Sequence, residues 1–175
     1  MNDIFFAIPT VSHYYKETIP KLLQNLKQLG VSDYNIIIFV NESESSQRFT
    51  IENGVRHYHS NELSYFEWII PKIIIEENLF HDWWFLLHDT VSFNETMPNQ
   101  LKEKILKTTK RIIKLTPIHS NNTGIIHGDI FREYSQELIL VISELSKITN
   151  INQRKSEIIK REKEVRISFL GISFG

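Results

Sequence analysis

The sequence predicts an α/β fold: a single domain over residues 1–175, with a mostly parallel central sheet flanked by helices and a helical C-terminal part from about residue 129. Three apolar runs, Ile4–Pro9, Asn35–Ser43 and Trp83–Leu87, are too short for helices and lack the alternation of a half-wet strand. They therefore read as strands buried on both faces. Longer stretches with apolar residues at helical spacing lie between them, which is the rhythm of βαβ units. With 175 residues, 41% of them hydrophobic and 23% charged, the chain is able to bury one sizeable core.

Each element follows from local pattern. "IFFAIP" (Ile4–Pro9) is the first strand. After it, Ile19, Leu22, Leu23, Leu26 and Leu29 share one helical face, and Gly30 is placed to end that helix in a left-handed conformation. "NIIIFVNES" (Asn35–Ser43) is a second buried strand whose polar exit belongs to a loop at its carboxyl end. Val55–His59 is a weaker strand, and Asn61–Leu79 has helical periodicity that Pro71 should kink or split. "WWFLLHD" is the third strand, followed by a short helix at Pro98–Lys107, a strand within Arg111–Ile118 and a strand-turn element in "NTGIIHGDIF". Ile130, Tyr134, Leu138, Val141, Ile142, Leu145 and Ile148 form the stripe of one long helix, while "KSEIIKREKEVR" mixes charges as a solvated helix face does.

Several function classes are disfavoured. Lys and Arg number 20 against 21 Asp and Glu, so no summed positive field attracts a phosphate backbone, and nucleic acid is not the expected partner. The absence of cysteine removes disulfides, thiolate metal sites and thiol nucleophiles, and is compatible with a reducing compartment. "MNDIFFAIPTVS" does not read as a signal peptide, and "FEWIIPKIII" is interrupted by Pro71 and Lys72, well short of the roughly 20 residues a bilayer span needs. A soluble, cytoplasmic protein without a membrane span is expected. No GxGxxG or GxxxxGK[ST] is present. Paired His-Asp signals occur at His81-Asp82 and His88-Asp89, but the apolar run before His88 marks a strand, whereas the metal phosphohydrolases that use such pairs carry them on helices.

Open parallel sheets bind ligands beyond the carboxyl ends of their strands, where adjacent connections part. Parallel alignment of the three strands would bring Pro9-Thr10-Val11-Ser12, Asn41-Glu42-Ser43 and His88-Asp89-Thr90 to one edge and one cleft. Strand alternation puts His88 and Asp89 on opposite faces, which makes Asp89 the functional candidate and His88 a packed, hydrogen-bonded residue. Trp68, Trp83 and Trp84 read as core.

The succession of a strand ending in "IPT", a second ending in "VNES", a third ending in "FLLHDTV" and then "NNTGIIHGDIF" resembles a glycosyltransferase of the GT-A fold, over about residues 3–131. That resemblance implies a Rossmann-like nucleotide-binding half and a UDP- or GDP-sugar donor contacted by Pro9, Thr10, Asn41, Glu42, His88, Asp89, Asn122 and Gly124. It also implies a DxD-like motif at Asp89 holding Mn²⁺ or Mg²⁺ against the donor diphosphate, and an acceptor hydroxyl. Leu87 and Val91 occupy the positions two away from Asp89, so one acid stands where the motif has two. His88 or His127 is then the candidate to complete a metal site with Asp89, and Asp129 or Glu133 the candidate base. The other reading that fits the same residues is a catalytically silent, glycosyltransferase-like binding or interaction module.

Overall fold

The computed structural model describes residues 4–62, 68–115 and 124–164. The strands are β1 (Ile4–Val11), β2 (Ile36–Asn41), β3 (Phe49–Glu52), β4 (Val55–His59), β5 (Trp83–Leu86), β6 (Ile112–Lys114) and β7 (Gly124–His127). The helices are α1 (Tyr15–Gln28), α2 (Ile69–Glu76), α3 (Met97–Lys107), α4 (Asp129–Glu133), α5 (Ser135–Ser146) and α6 (Ile151–Glu164). All seven strands join one sheet in the order β3-β4-β2-β1-β5-β7-β6.

The sheet is mixed rather than mostly parallel. Its four central strands β4, β2, β1 and β5 run parallel, while β3 opposes β4 and β7 opposes both β5 and β6. One antiparallel edge has a local cause. Asn53 and Gly54 adopt φ of 50° and 83°, the left-handed pair of a two-residue hairpin, and so fold β3 back on β4. That Asn-Gly signal marks β3, a strand the apolar runs do not disclose.

Strand parity divides the core into two layers. Ile4, Phe6 and Ile8 of β1, with Ile36, Ile38 and Val40 of β2 and Phe85 and Leu87, pack on Ile19, Leu22 and Leu26 of α1 and on Met97 and Leu101 of α3. The alternate residues Phe5, Ala7, Ile37, Phe39, Trp84 and Leu86 pack on α2, α4, α5 and Ile158 of α6. The long C-terminal stripe is two helices, because Tyr134 at φ −103° and ψ 21° breaks it between α4 and α5. Pro71 leaves α2 intact, since it falls in the first turn, where its missing N–H has no intrahelical partner to lose. Gly30, at φ 76°, ends α1 as expected, and the Val31 N–H returns to the Leu26 carbonyl.

Gly128 joins β7 to α4 under the Asp82–Leu79 turn, and a Cβ there would meet the His81 carbonyl oxygen at 1.8 Å. Gly128→Ala should therefore destabilise the fold by about 2–3 kcal/mol in urea denaturation, the cost of forcing backbone apart at a packed joint.

His81 stacks on Phe5 with ring centroids 3.4 Å apart. Burial, then the neighbouring Arg56 guanidinium, pushes its imidazole down to about 4. The folded protein then binds fewer protons than the unfolded chain below pH 6.5, so stability is full above that pH and is lost as pH falls towards 4. Burial depresses His57, His59 and His88 as well, adding to the same loss. The melting temperature should fall across this window, and His81→Phe, which keeps the ring but cannot titrate, should flatten the decline.

Candidate functional site

Alternate residues of a parallel strand turn their N–H and C=O groups towards opposite neighbours. In β1 the even residues serve β2: the Ser12 N–H donates to the Asn41 carbonyl at 3.0 Å. The odd residues serve β5: the Ala7 carbonyl accepts from the Leu87 N–H at 3.2 Å. Pro9 has odd parity, so the donor it lacks is the next one β5 would have used. The ladder stops there, and β5 leaves β1 after Leu86. This parting lies where the strand order reverses, since α1 leads from β1 to β2 on one side and α2 leads back to β5 on the other. Such a switch point is where open α/β sheets receive ligands.

Asp89 stands at this point, on the α1 face. Its Oδ2 accepts hydrogen bonds from the Thr10 hydroxyl at 2.6 Å and the Thr18 hydroxyl at 2.9 Å. The carboxylate is thereby tied across the gap to β1 and to the first turns of α1. Thr18 escapes a reading by motif because it lies in a helix; the signal that finds it is its place just after the Thr10 strand end, on the helix that begins at the switch point.

The neighbouring candidates divide between the faces. His88, beside Asp89, is half-buried, and burial keeps its imidazole below the ordinary range despite the neighbouring carboxylate. Asn41 leaves the same sheet edge as Asp89, but its side chain lies with α2, α5 and α6, is 1% exposed, and does not share a cleft with Asp89. It lines a cavity of about 20 Å³ with Glu62, Trp68, Lys72, Ser146 and Arg154, large enough for one water. Both Asn41 amide atoms and the Trp68 indole N–H have no hydrogen-bond partner there among the described residues. Glu62 accepts from Lys72 at 3.0 Å, Ser146 at 2.9 Å and Arg154 at 2.9 Å. Burial alone would raise this carboxyl, but the three donors together outweigh it and hold the group below the usual range.

Glu42 ends β2 at φ 53°, a left-handed conformation that costs a non-glycine residue about 1–2 kcal/mol. Its N–H donates to the Glu62 carbonyl, and its carboxylate is 3.6 Å from the exposed His13 ring, so these two form the outer rim of the β1–β2 end. Ser43, next along, is held by His59 at 3.0 Å, whose other ring nitrogen meets Thr50 at 2.9 Å. Pro9 is buried, and its role is to part the strands.

Three candidates lie at the other edge. β7 runs against β5, pairing Gly124 with Leu86 and His127 with Trp83. At roughly 3.3 Å per residue, β5 alone carries Leu86 about 10 Å from Trp83, and Asp89 lies beyond. His127 therefore cannot complete a metal site with Asp89; it instead accepts from the Asp129 N–H and meets the Trp83 ring edge-on. Asp129 pairs with Arg132 at 2.8 Å and Glu133 with Arg111 at 2.6 Å, both away from the switch point, which removes them as bases for chemistry there. Gly124 does start at the carboxyl edge, where a Cβ would press on the Ile113 carbonyl at 3.2 Å, so its smallness serves the β6–β7 spacing. Asn122 lies outside the described residues.

No family model matches the chain, and no curated protein matches it. Among the described residues no group of three His, Asp or Glu side chains is placed to hold a metal ion. A lone Asp89 carboxylate fits a hard cation that takes most of its ligands from a diphosphate and water, as Mg²⁺ commonly does, and does not fit a metal held by protein alone.

Thr18→Val keeps the side-chain shape and removes one donor from Asp89. It should lower stability by about 1.5 kcal/mol in urea denaturation, with Thr18→Ser restoring most of the loss.

Proposed function

We propose that the chain is a small glycosyltransferase that moves a sugar from a UDP- or GDP-sugar to an acceptor hydroxyl. What supports this reading is the Asp89 carboxylate, fixed by Thr10 and Thr18 at the gap that Pro9 opens between β1 and β5. The motif resemblance of "FLLHDTV" supports it from the sequence side.

In the reaction, the acceptor oxygen bonds to the anomeric carbon while the bond from that carbon to the diphosphate oxygen breaks; the electron pair leaves with the diphosphate, and the hydroxyl proton passes to water. Asp89 would hold Mn²⁺ or Mg²⁺, whose positive charge would offset the charge that builds on the leaving group. Thr10 and Thr18 act as positioning residues, because they fix the Asp89 carboxylate before the donor arrives. Glu42 and His13 stand 3.6 Å apart at the end of β2 and just past β1, and in this reading they would meet the donor's ribose.

The second reading, a domain that binds a nucleotide-sugar without turning it over, is favoured by one observation. Asp129 and Glu133 sit at the far edge, so neither is a base for this cleft.

Calorimetric titration with UDP and GDP, with and without Mn²⁺, tests both. Nucleotide binding should need the metal, and Asp89→Asn should weaken it by tenfold or more in a chain whose circular dichroism shows it still folded. Hydrolysis of the matching nucleotide-sugar then marks the enzyme and its absence marks the binding module. A chain that binds neither nucleotide in the presence of Mn²⁺ is neither.

A further inference from the structure

Asn41 departs from the pattern of its strand. Ile37 and Phe39 share its face of β2 and belong to the apolar core, yet the next position on that face is an amide, 1% exposed. Its Oδ1 and Nδ2 have no hydrogen-bond partner among the described residues, and neither has the indole N–H of Trp68, which is 5% exposed. Both residues line the same cavity of about 20 Å³. A buried amide left unbonded is costly, so two such groups meeting in one cavity call for a ligand.

The needs of the three groups define that ligand. Asn41 Oδ1 requires a donor, whereas Asn41 Nδ2 and Trp68 Nε1 require an acceptor. An anion would serve the N–H groups and be repelled by the carbonyl. A metal cation would serve the carbonyl and be repelled by the N–H groups. The charged side chains on the wall are already engaged, since Lys72 and Arg154 both turn to Glu62. A hydroxyl both donates and accepts, and it suits the amide whichever way round its oxygen and nitrogen sit. The volume then selects the smallest hydroxyl compound, because one water occupies about 10–15 Å³ on this scale.

We propose that this cavity is a binding site for one internal water, which accepts from the Trp68 indole N–H and donates to the Asn41 carbonyl. The water ties the carboxyl end of β2 to the residue from which α2 starts. Leu145 of α5 and Ile158 of α6 stand on the wall beside it, so its exchange with bulk solvent is slow. The inference stands apart from the reading of the cleft, because Asn41 and Asp89 do not share one.

Nuclear magnetic resonance of the full chain tests it. The Trp68 indole proton should show laboratory-frame and rotating-frame Overhauser peaks of opposite sign to water, the mark of a water that outlasts molecular tumbling. Trp68→Phe identifies that signal by removing it. Trp84 is the internal control: its indole N–H is equally buried and unpartnered among the described residues but lines no part of this cavity, so it should show no such peak. A high-resolution crystal structure should show one density peak within hydrogen-bond distance of both Asn41 and Trp68. In a double-mutant cycle, Trp68→Phe should lower the folding equilibrium constant about fivefold less in an Asn41→Leu chain than in the native one, because the shared water is already gone. A dry cavity, a direct Asn41–Trp68 hydrogen bond, or an anomalous peak there after a bromide soak would each overturn the proposal. So would effects of the two substitutions that multiply independently.

Discussion

One missing hydrogen atom organises the carboxyl edge of this sheet. β1 is the central strand of a parallel array, the place where a ladder is least tolerant of proline. Pro9 is accommodated because its ring nitrogen faces the neighbour that is about to leave. The ladder to β2 continues past it to Ser12, whereas the ladder to β5 ends. The gap between strands is thus a consequence of backbone chemistry, and it arises where the crossover helices diverge to opposite faces. Thr10, the next residue, has the parity that turns its hydroxyl towards the α1 layer, where Asp89 meets it.

The same parity explains why two residues that looked like partners are not. Asn41 and Asp89 leave one edge of one sheet, but one points to each face. Asn41 enters the polar end of the α2–α5–α6 layer, and Asp89 enters the start of the α1 layer. A strand end gives neighbouring residues a common address in sequence and different surroundings in space.

Much of the framework was legible in the amino-acid order. The apolar runs at Ile4, Ile36 and Trp83 became parallel strands because nothing in them matches a helix or a wet surface. Gly30 stopped α1 because the left-handed residue costs glycine little. What escaped was set by pairing rather than by local pattern. The direction of β7 decides which edge receives His127, Asp129 and Glu133, and four residues of "GIIH" carry no mark of direction. The break at Tyr134 escaped because the apolar stripe continues through it. Thr18 and the Glu62 cluster escaped because they depend on contacts between residues far apart in the chain.

The Glu62 cluster draws in three helices at once: Lys72 from α2, Ser146 from α5 and Arg154 from α6. Arg154, 4% exposed, also donates to the Leu145 carbonyl at the end of α5. Peeling α6 away would strip a half-buried carboxylate of one of its two cationic partners and leave the Leu145 carbonyl with the Ile148 N–H alone. Although most of its described residues face solvent, α6 is therefore no detachable appendage. A polypeptide terminated before Arg154 would lose the keystone between α2 and α5 rather than a loose tail.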